Sequence, residues 1–482
     1  MKIRESLALT FDDVLMVPQY SGICSRNAVT TTTRITPTIE CAIPILSANM
    51  DTVTEASMAV MMARTGGLGI IHRFLSPERQ AAEISRVKRS ESYVVAEPLT
   101  VSVEADLSTA LERMKEAHVS SVIVIHGDGR LAGILTNRDL SLAPEKAGKV
   151  SDLMTPADKL VVGEEDITLV EARKRLHQHR VEKLPLVNKG QKVVGLITAQ
   201  DILKLQKDPQ ATKDDRGRLR VGAAVGVRSS DIERAGACLE AGADVLVLDI
   251  AHGHSKLGID TVKALKKSFP DAEIMAGNVA TPEGVRDLAK AGAVSVKVGV
   301  GSGSICTTRI VTGAGFPQLS AVVACSEAAK ECGVTIISDG GIRTSGDITK
   351  ALAAGSHAVM LGSLLAGTTE SPGAAVVRDG RRYKVVRGMA SLSANVGRME
   401  VDSGAEVDPQ DWERVVPEGV EAVVPYRGPV RDILHLLVGG LRSGLTYSGA
   451  SNLEELRERA EFVRITGAGI AESRHHDVDK LK

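Results

Sequence analysis

At 482 residues, 43% of them hydrophobic, and with a formal net charge of −1, the chain has the length of about three ordinary domains or one large barrel with an addition, and the composition of a soluble globular protein. No bulk positive charge is present to attract nucleic acid or an anionic membrane, and short basic runs such as "DGRRYK" (379–384) read as solvated surface. The chain starts with charges at Arg4, Glu5, Asp12 and Asp13 where a signal peptide would be apolar, and no apolar run is long enough to span a bilayer. The six cysteines are scattered without CxxC spacing, which argues against a disulfide framework or structural zinc site, so the expected compartment is the cytoplasm. Aromatics are 2%, so the core must rest on Ala, Val, Ile and Leu, a composition suited to buried parallel strands under helices.

In chain order, eight short apolar runs end in Gly, Ser, Asn or Asp: "IPILSANMD", "GLGIIHR", "LRVGAAVG", "VLVLDIAHG", "EIMAGNVA", "VSVKVGVG", "TIISDGG" and "HAVMLGS". Helical patterns such as "SSDIERAGACLEAGA" and "TPEGVRDLAKAGA" separate the later ones. Alternating strand and helix implies parallel pairing, and eight units predict an α/β fold, a (β/α)8 TIM barrel. A doubly wound open sheet is the alternative, weakened because no GxGxxG follows an early strand.

The alternation breaks between the second and third runs. From about 94 to 205 the chain holds two similar copies, "VSSVIVIHGDGRLAGILTNRDL" and "VEKLPLVNKGQKVVGLITAQDI", in which Val119, Thr136 and Asp139 correspond to Val181, Thr198 and Asp201. A repeated strand, turn, strand and Thr-x-x-Asp helix start is one small fold used twice. From the residues alone, the Asp caps a helix and the Thr contacts a ligand or shares the capping. The copies resemble a tandem CBS-domain pair, which implies regulatory adenine or guanine nucleotides. The predicted organisation is therefore barrel over 1–93, inserted pair over 94–205, and barrel again over 206–482.

Barrel enzymes carry their chemistry on loops after the strands' C-terminal ends. That rule gathers Asp249 and "AHGHS" after the fourth strand, Asn278 after the fifth, the turn "VGVGSGSICTTR" after the sixth, "SDGG" after the seventh and "GS" after the eighth. Glycine-rich turns at the last two expose N–H groups to phosphate, whereas Asp339 repels phosphate and suits sugar hydroxyls. Cys306, behind Gly299, Gly301 and Gly303, is open to several readings: nucleophile, redox thiol, metal ligand, or small packed side chain. Beside a nucleotide pocket, a thiolate adding to an electron-poor ring carbon is the chemistry it fits. His252 and His254 lack the acidic or cysteine partners of a zinc site, and His475–His476 read as polar packing or solvent-facing.

The cysteine block resembles the loop shared by IMP dehydrogenases and GMP reductases. "LTFDDVLMVP", "MDTVTE", "GGLGIIHR", "AGNVAT", "SDGGIRTSGDI", "VMLGSLLAGTTESPG", "VPEGVEAVVPYRGP" and "LVGGLRSG" extend the likeness over essentially the whole chain. The resemblance implies that Cys306 attacks C2 of a purine nucleotide with Thr308 beside it. It implies that Ser304, Gly340, Gly341, Gly362, Ser363, Gly388 and Met389 line the nucleotide and phosphate pocket, that Asp339 holds ribose hydroxyls, and that Glu418 meets the purine. It implies a nicotinamide cofactor (NAD, or NADPH in a reductase) at Asp249, Asn278, Gly299, Val300 and Gly301. It further implies a potassium ion on carbonyls of Gly301, Gly303 and Cys306, completed by Glu472, Ser473 and Arg474 of a neighbouring subunit, hence a homotetramer or pairs of tetramers.

Three departures stand out. Ser302 replaces the family's usual proline, and Val386-Arg387-Gly388-Met389-Ala390 replaces Tyr-Arg-Gly-Met-Gly. The flap "SANVGRMEVDSGAEVDPQDWERVVPEG" lacks the Arg-Tyr pair with which dehydrogenases activate water, leaving Arg398 or Arg414 as remnants, of which Arg398 is the candidate. Leu392 stands where reductases usually carry an acid, while "FPQLSAV" and "LTYSGASNLEEL" lean toward reductases. On the sequence, IMP dehydrogenase leads, GMP reductase with CBS domains is the alternative, and an impaired nucleotide sensor comes third.

Overall fold

The computed structural model describes residues 3–4, 6–90, 94–95, 98–117, 119–141, 148–200, 202, 208–403 and 416–473. The chain divides into two compact units: one of residues 1–90, 210–212 and 219–482, the other of 91–209 and 213–218.

The larger unit is a closed parallel barrel. Its strands are β1 (Ile45–Ser47), β2 (Leu68–Ile71), β3 (Val221–Val225), β4 (Val245–Asp249), β5 (Ile274–Val279), β6 (Ser295–Val298), β7 (Thr335–Asp339) and β8 (Ala358–Leu361). Each of the eight apolar runs supplies one strand, and β8 pairs with β1 through Val359–Ile45, so the open doubly wound sheet is excluded. Helices α1 (Ala56–Arg64), α2 (Pro77–Ser90), α3 (Ser230–Glu240), α4 (Lys256–Ser268), α5 (Pro282–Ala291), α6 (Gln318–Cys332), α7 (Ser345–Ala353) and α8 (Val430–Tyr447) follow the strands in turn.

Strand residues alternate between two cores, as the period of two demands. Leu46, Leu68, Ile70, Val245, Val247, Met275, Ile337 and Met360 fill the barrel interior. Their neighbours Leu246, Leu248, Ile274, Ala276, Val296, Val298 and Ile336 pack outward beneath the helices. Both faces are dry, so the strands read as unbroken apolar runs rather than alternating ones. Among the described residues, no helix is long and apolar enough to cross a membrane.

At the far end of the barrel, His357 is largely buried and its Nδ1 accepts the Ile336 amide at 3.2 Å. Burial, reinforced by the Arg457 charge, pushes its pKa down from 6.5 to about 4. A neutral folded imidazole that charges on unfolding contributes stability fully above pH 6.5 and loses it as pH falls toward about 4. The melting temperature should therefore drop across that window, by the equivalent of up to about 3 kcal/mol. His357→Asn, which keeps an acceptor, should shrink this part of the drop.

The smaller unit contains two four-stranded sheets of matching design. In one, Ser121–Ile125 pairs antiparallel with Leu131–Thr136; in the other, Lys183–Val187 pairs antiparallel with Val193–Thr198. Both hairpins carry their irregularity at the equivalent place, Val124/Ile125 and Leu186/Val187. In the first copy the Thr-x-x-Asp start closes on itself, since Asp139 Oδ2 accepts both the Thr136 amide at 2.8 Å and its hydroxyl at 2.7 Å. Asp201 of the second copy lies outside the described residues.

Candidate active site

Strand alternation aims the site. Val245 and Val247 face the barrel interior, so Asp249 continues that face at the C-terminal end of β4; Ile337 does the same for Asp339 on β7. On β6, Val296 and Val298 face the helices, which turns Lys297 inward. The result is a charged floor beneath the barrel mouth. Lys297 Nζ lies 3.8 Å from Asp249 Oδ1 and 3.5 Å from Asp339 Oδ2, and Arg73 Nε lies 3.5 Å from Asp249 Oδ2. Asn278 Nδ2 donates to Asp339 Oδ2 and to the Gly299 carbonyl, both at 2.9 Å. Burial opposes ionisation of Asp249, but the Lys297 and Arg73 charges and a hydrogen bond from Asn49 outweigh it and hold the carboxyl below its usual value.

The glycine turn after β6 runs against the end of β7. A Cβ on Gly299, which has φ +153°, would sit 2.0 Å from the Asp339 carbonyl oxygen, so only glycine permits this approach. Gly340, at φ +91°, similarly leaves room for Ser302, whose hydroxyl donates to Asp339 O at 3.1 Å. This hydroxyl ties the turn to the end of β7. Val300 and Gly301 lead into the turn, and the Gly303 carbonyl accepts the Cys306 amide at 3.2 Å. Ser304 is exposed at its tip.

Cys306 is half-buried, whereas burial pushes the Cys41, Cys238 and Cys325 thiols up to about 12 and makes them inert. The Cys306 thiol donates to Thr308 Oγ1 at 3.2 Å, and Thr308 Oγ1 donates to Glu418 Oε2 at 2.8 Å. Glu418 is brought there by the root of the flap. A three-stranded sheet (Ala375–Arg378, Arg381–Arg387, Glu421–Pro425) carries Gly388, Met389 and Ala390 on one side and Glu418 on the other. The Val420 amide donates to Ile305 O at 3.0 Å, the Thr307 amide to Glu418 O at 2.8 Å, and the Glu418 amide to Ala390 O at 2.9 Å. Arg387 holds the root to the β1 loop: its Nε donates to Asp51 Oδ2 at 2.6 Å and its Nη1 to Ser393 Oγ at 3.1 Å.

Gly341 follows Gly340 at the end of β7, and Gly362 and Ser363 open a short helix directly after β8. Arg398 sits half-buried on the helix Leu392–Ser403. Glu472 ends the helix Gly467–Glu472, and the Ser473 hydroxyl donates back to Gly469 O at 2.8 Å; among the described residues neither is joined to the cysteine turn of the same chain by a hydrogen bond. Arg414, Arg474, His475 and His476 lie outside the described residues. His254 Nε2 pairs with Asp287 Oδ2 at 2.9 Å, and the described residues hold no group of three or more metal-ligating side chains. Lys297, Arg73 and Arg387 are not among the site residues that the sequence singles out. Lys297 had a signal, a charge at an inward position of an apolar strand; Arg387 had none, because its partner is 336 positions away.

A family described as "IMP dehydrogenase / GMP reductase domain" matches residues 8–476. The chain is 51% identical over 478 residues to an inosine-5'-monophosphate dehydrogenase of Nitrosopumilus maritimus (strain SCM1), covering 99% of both. It is 49% identical over 482 residues to a GMP reductase of Leishmania major, covering 98% of this chain and 97% of that one. Among solved structures, a cysteine-to-alanine variant of GMP reductase from Trypanosoma brucei in complex with guanosine 5'-monophosphate matches with a TM-score of 0.86, 47% identity and 98% of both chains covered. The same enzyme in complex with guanosine 5'-triphosphate matches with a TM-score of 0.75 at 43% identity, over 96% of this chain and 98% of that one.

Proposed function

The chain belongs to the IMP dehydrogenase / GMP reductase family, and from that premise we propose that it is a GMP reductase converting GMP, NADPH and two protons to IMP, NADP and ammonium. The observation that carries this reading is Thr308 Oγ1 held between Cys306 Sγ and Glu418 Oε2. Cys306 adds to C2 of the purine, and the C2 amino group leaves as ammonia. That group departs only if it gains a proton, and the Thr308–Glu418 pair stands beside the attacking sulfur to deliver one. Bound nicotinamide supplies the hydride that replaces the thiolate at C2. Asp249, ionised beside Lys297 and Arg73, suits the cofactor ribose, with Asn278, Gly299, Val300 and Gly301 alongside; Asp339 suits the nucleotide ribose. Ser304, Gly340, Gly341, Gly362, Ser363, Gly388 and Met389 form the remaining nucleotide contacts in this reading.

The second reading is IMP dehydrogenase, favoured by Leu392 where reductases usually have an acid and by the 51% identity to the Nitrosopumilus maritimus enzyme. It requires a base for water. The flap carries no Arg-Tyr pair, and an ordinary arginine such as Arg398 stays protonated, so the Thr308–Glu418 pair would have to serve instead. The inserted unit does not separate the two readings, since the Leishmania major GMP reductase matches over 98% of this chain.

We further read the smaller unit as a CBS pair taking adenine or guanine nucleotides, on the strength of its duplicated sheets. A homotetramer would bring Glu472, Ser473 and Arg474 of one subunit to the cysteine turn of the next. The turn suits a potassium ion: its carbonyls are uncharged, and among the described residues Gly303 O accepts only the Cys306 amide, leaving a lone pair for a hard cation.

One set of rates tests the assignment: GMP with NADPH against IMP with NAD, in potassium and in sodium, with and without ATP or GTP. The reductase reading expects ammonia release at steady state from GMP and little or no NADH from IMP. A burst of NADH from IMP and NAD followed by slow turnover, with GMP inert, would establish the dehydrogenase instead.

A further inference from the structure

Lys297 is assigned no contact with substrate or cofactor above, yet its side chain is 2% exposed at an inward position of β6. A buried ammonium persists only where its partners offset the lost hydration. Here the partners are the two carboxylates assigned to the two sugars, Asp339 at 3.5 Å and Asp249 at 3.8 Å. On Asp339 the protein contacts are one-sided. Lys297 Nζ and Asn278 Nδ2 both approach Oδ2, and among the described residues Oδ1 has no polar partner, although the side chain is 22% exposed. One carboxylate oxygen is pinned and the other is left as an open acceptor.

We propose that Lys297 is a positioning residue that makes this site specific for ribonucleotides. By pinning Asp339 Oδ2 it aims Oδ1 at the vicinal hydroxyls of the sugar. The proposal rests on the reading that Asp339 meets the nucleotide ribose. A carboxylate rotates easily about its last torsion, and without Lys297 the Asn278 amide alone among the described residues would hold Oδ2, so Oδ1 would point in a less fixed direction. Without the ammonium, Asp249 would keep Arg73, whereas Asp339 would lose the one positive charge that pairs with it among the described residues.

The test is a specificity ratio, because a general loss of stability lowers activity on two similar substrates alike and leaves their ratio unchanged. In the full-length protein, kcat/KM is measured for GMP and 2′-deoxy-GMP with NADPH, and for IMP and 2′-deoxy-IMP with NAD, so the result does not depend on the direction of the reaction. Wild type should prefer the ribonucleotide by roughly 10- to 100-fold, the range for a hydrogen bond to a charged group. Lys297→Met should reduce that preference by about fivefold or more, while KM for the cofactor rises through the loosened Asp249. If Lys297→Met does not yield folded protein, Lys297→Gln, whose amide is better accommodated among buried polar groups, carries the same comparison. An unchanged ratio in the folded variant overturns the proposal while the functional reading stands. A wild type indifferent to the 2′-hydroxyl also overturns it. No turnover of any of the four nucleotides by wild type removes the functional reading, and this proposal with it.

Discussion

Cys306→Ala should abolish turnover, by at least about 10,000-fold, while nucleotide binding stays within a few-fold of wild type. In the proposed reaction the thiol is the group that forms the bond to C2, and its neighbours within the turn are glycine, serine, isoleucine and threonine, none of which matches sulfur as a nucleophile. Cys41, Cys238 and Cys325 cannot stand in, because burial pushes their thiols up to about 12, Cys41 in the barrel-interior core and the other two in the core between strands and helices. Retained binding is expected because the loop's shape depends on its backbone. The Gly303 carbonyl accepts the residue 306 amide, and Val420 donates to Ile305 O; alanine keeps both bonds. Titration calorimetry of the variant with GMP, beside NADPH consumption, reads the two quantities separately. Residual turnover above about 1% of wild type would eliminate covalent catalysis by this residue.

Glu418→Gln is the second large effect. It keeps the size of the side chain and can still hydrogen-bond Thr308 Oγ1, but it removes the group that would pass a proton through that hydroxyl to the departing amine. General acid catalysis contributes about 100- to 10,000-fold, and a loss in that range is expected for GMP. The diagnostic measurement uses 2-chloro-IMP, whose chloride leaves without needing a proton. Reduction of this substrate by Glu418→Gln should recover to within about tenfold of wild type. If GMP and 2-chloro-IMP suffer equally, Glu418 acts by holding the flap root and not by moving protons. That outcome is plausible on geometry alone, since the Glu418 backbone already bonds to Thr307 and Ala390; the leaving-group comparison isolates the side chain's part.

The sequence leans to the dehydrogenase because its dehydrogenase-like blocks, "LTFDDVLMVP", "MDTVTE", "AHGHS" and "GAGIAES", span both ends of the chain. The reductase reading comes from three side chains joined by hydrogen bonds, Cys306, Thr308 and Glu418. Cys306 and Thr308 are two positions apart, and each could be singled out from the glycine turn. Glu418 is 110 positions from Thr308, and the hydrogen bond between them exists only because the flap sheet turns the chain back over the β6 loop. The sequence could suggest that Glu418 meets the purine; it could not show that the carboxylate reaches the hydroxyl next to the thiol. The flap's missing Arg-Tyr pair was, in contrast, fully visible as text.

What the sequence determined by itself was the barrel, its eight strands and the duplicated small fold. Those rest on local and periodic signals: apolar runs of strand length, glycines at turns, helical patterns in between, and one motif repeated at constant offset. Even the inward aim of Asp249 and Asp339 follows from a period of two. What only the tertiary structure decided was which charges share a partner. Lys297 lies between Asp249 and Asp339 because three strands of a closed sheet converge on one axis, and Arg387 meets Asp51 because the flap root docks on the β1 loop. Such contacts are set by barrel closure and loop packing, over separations of 42 to 336 residues for Lys297–Asp339 and Arg387–Asp51. Local propensity carries no information at that range, because each side chain is chosen by neighbours that only the folded chain supplies.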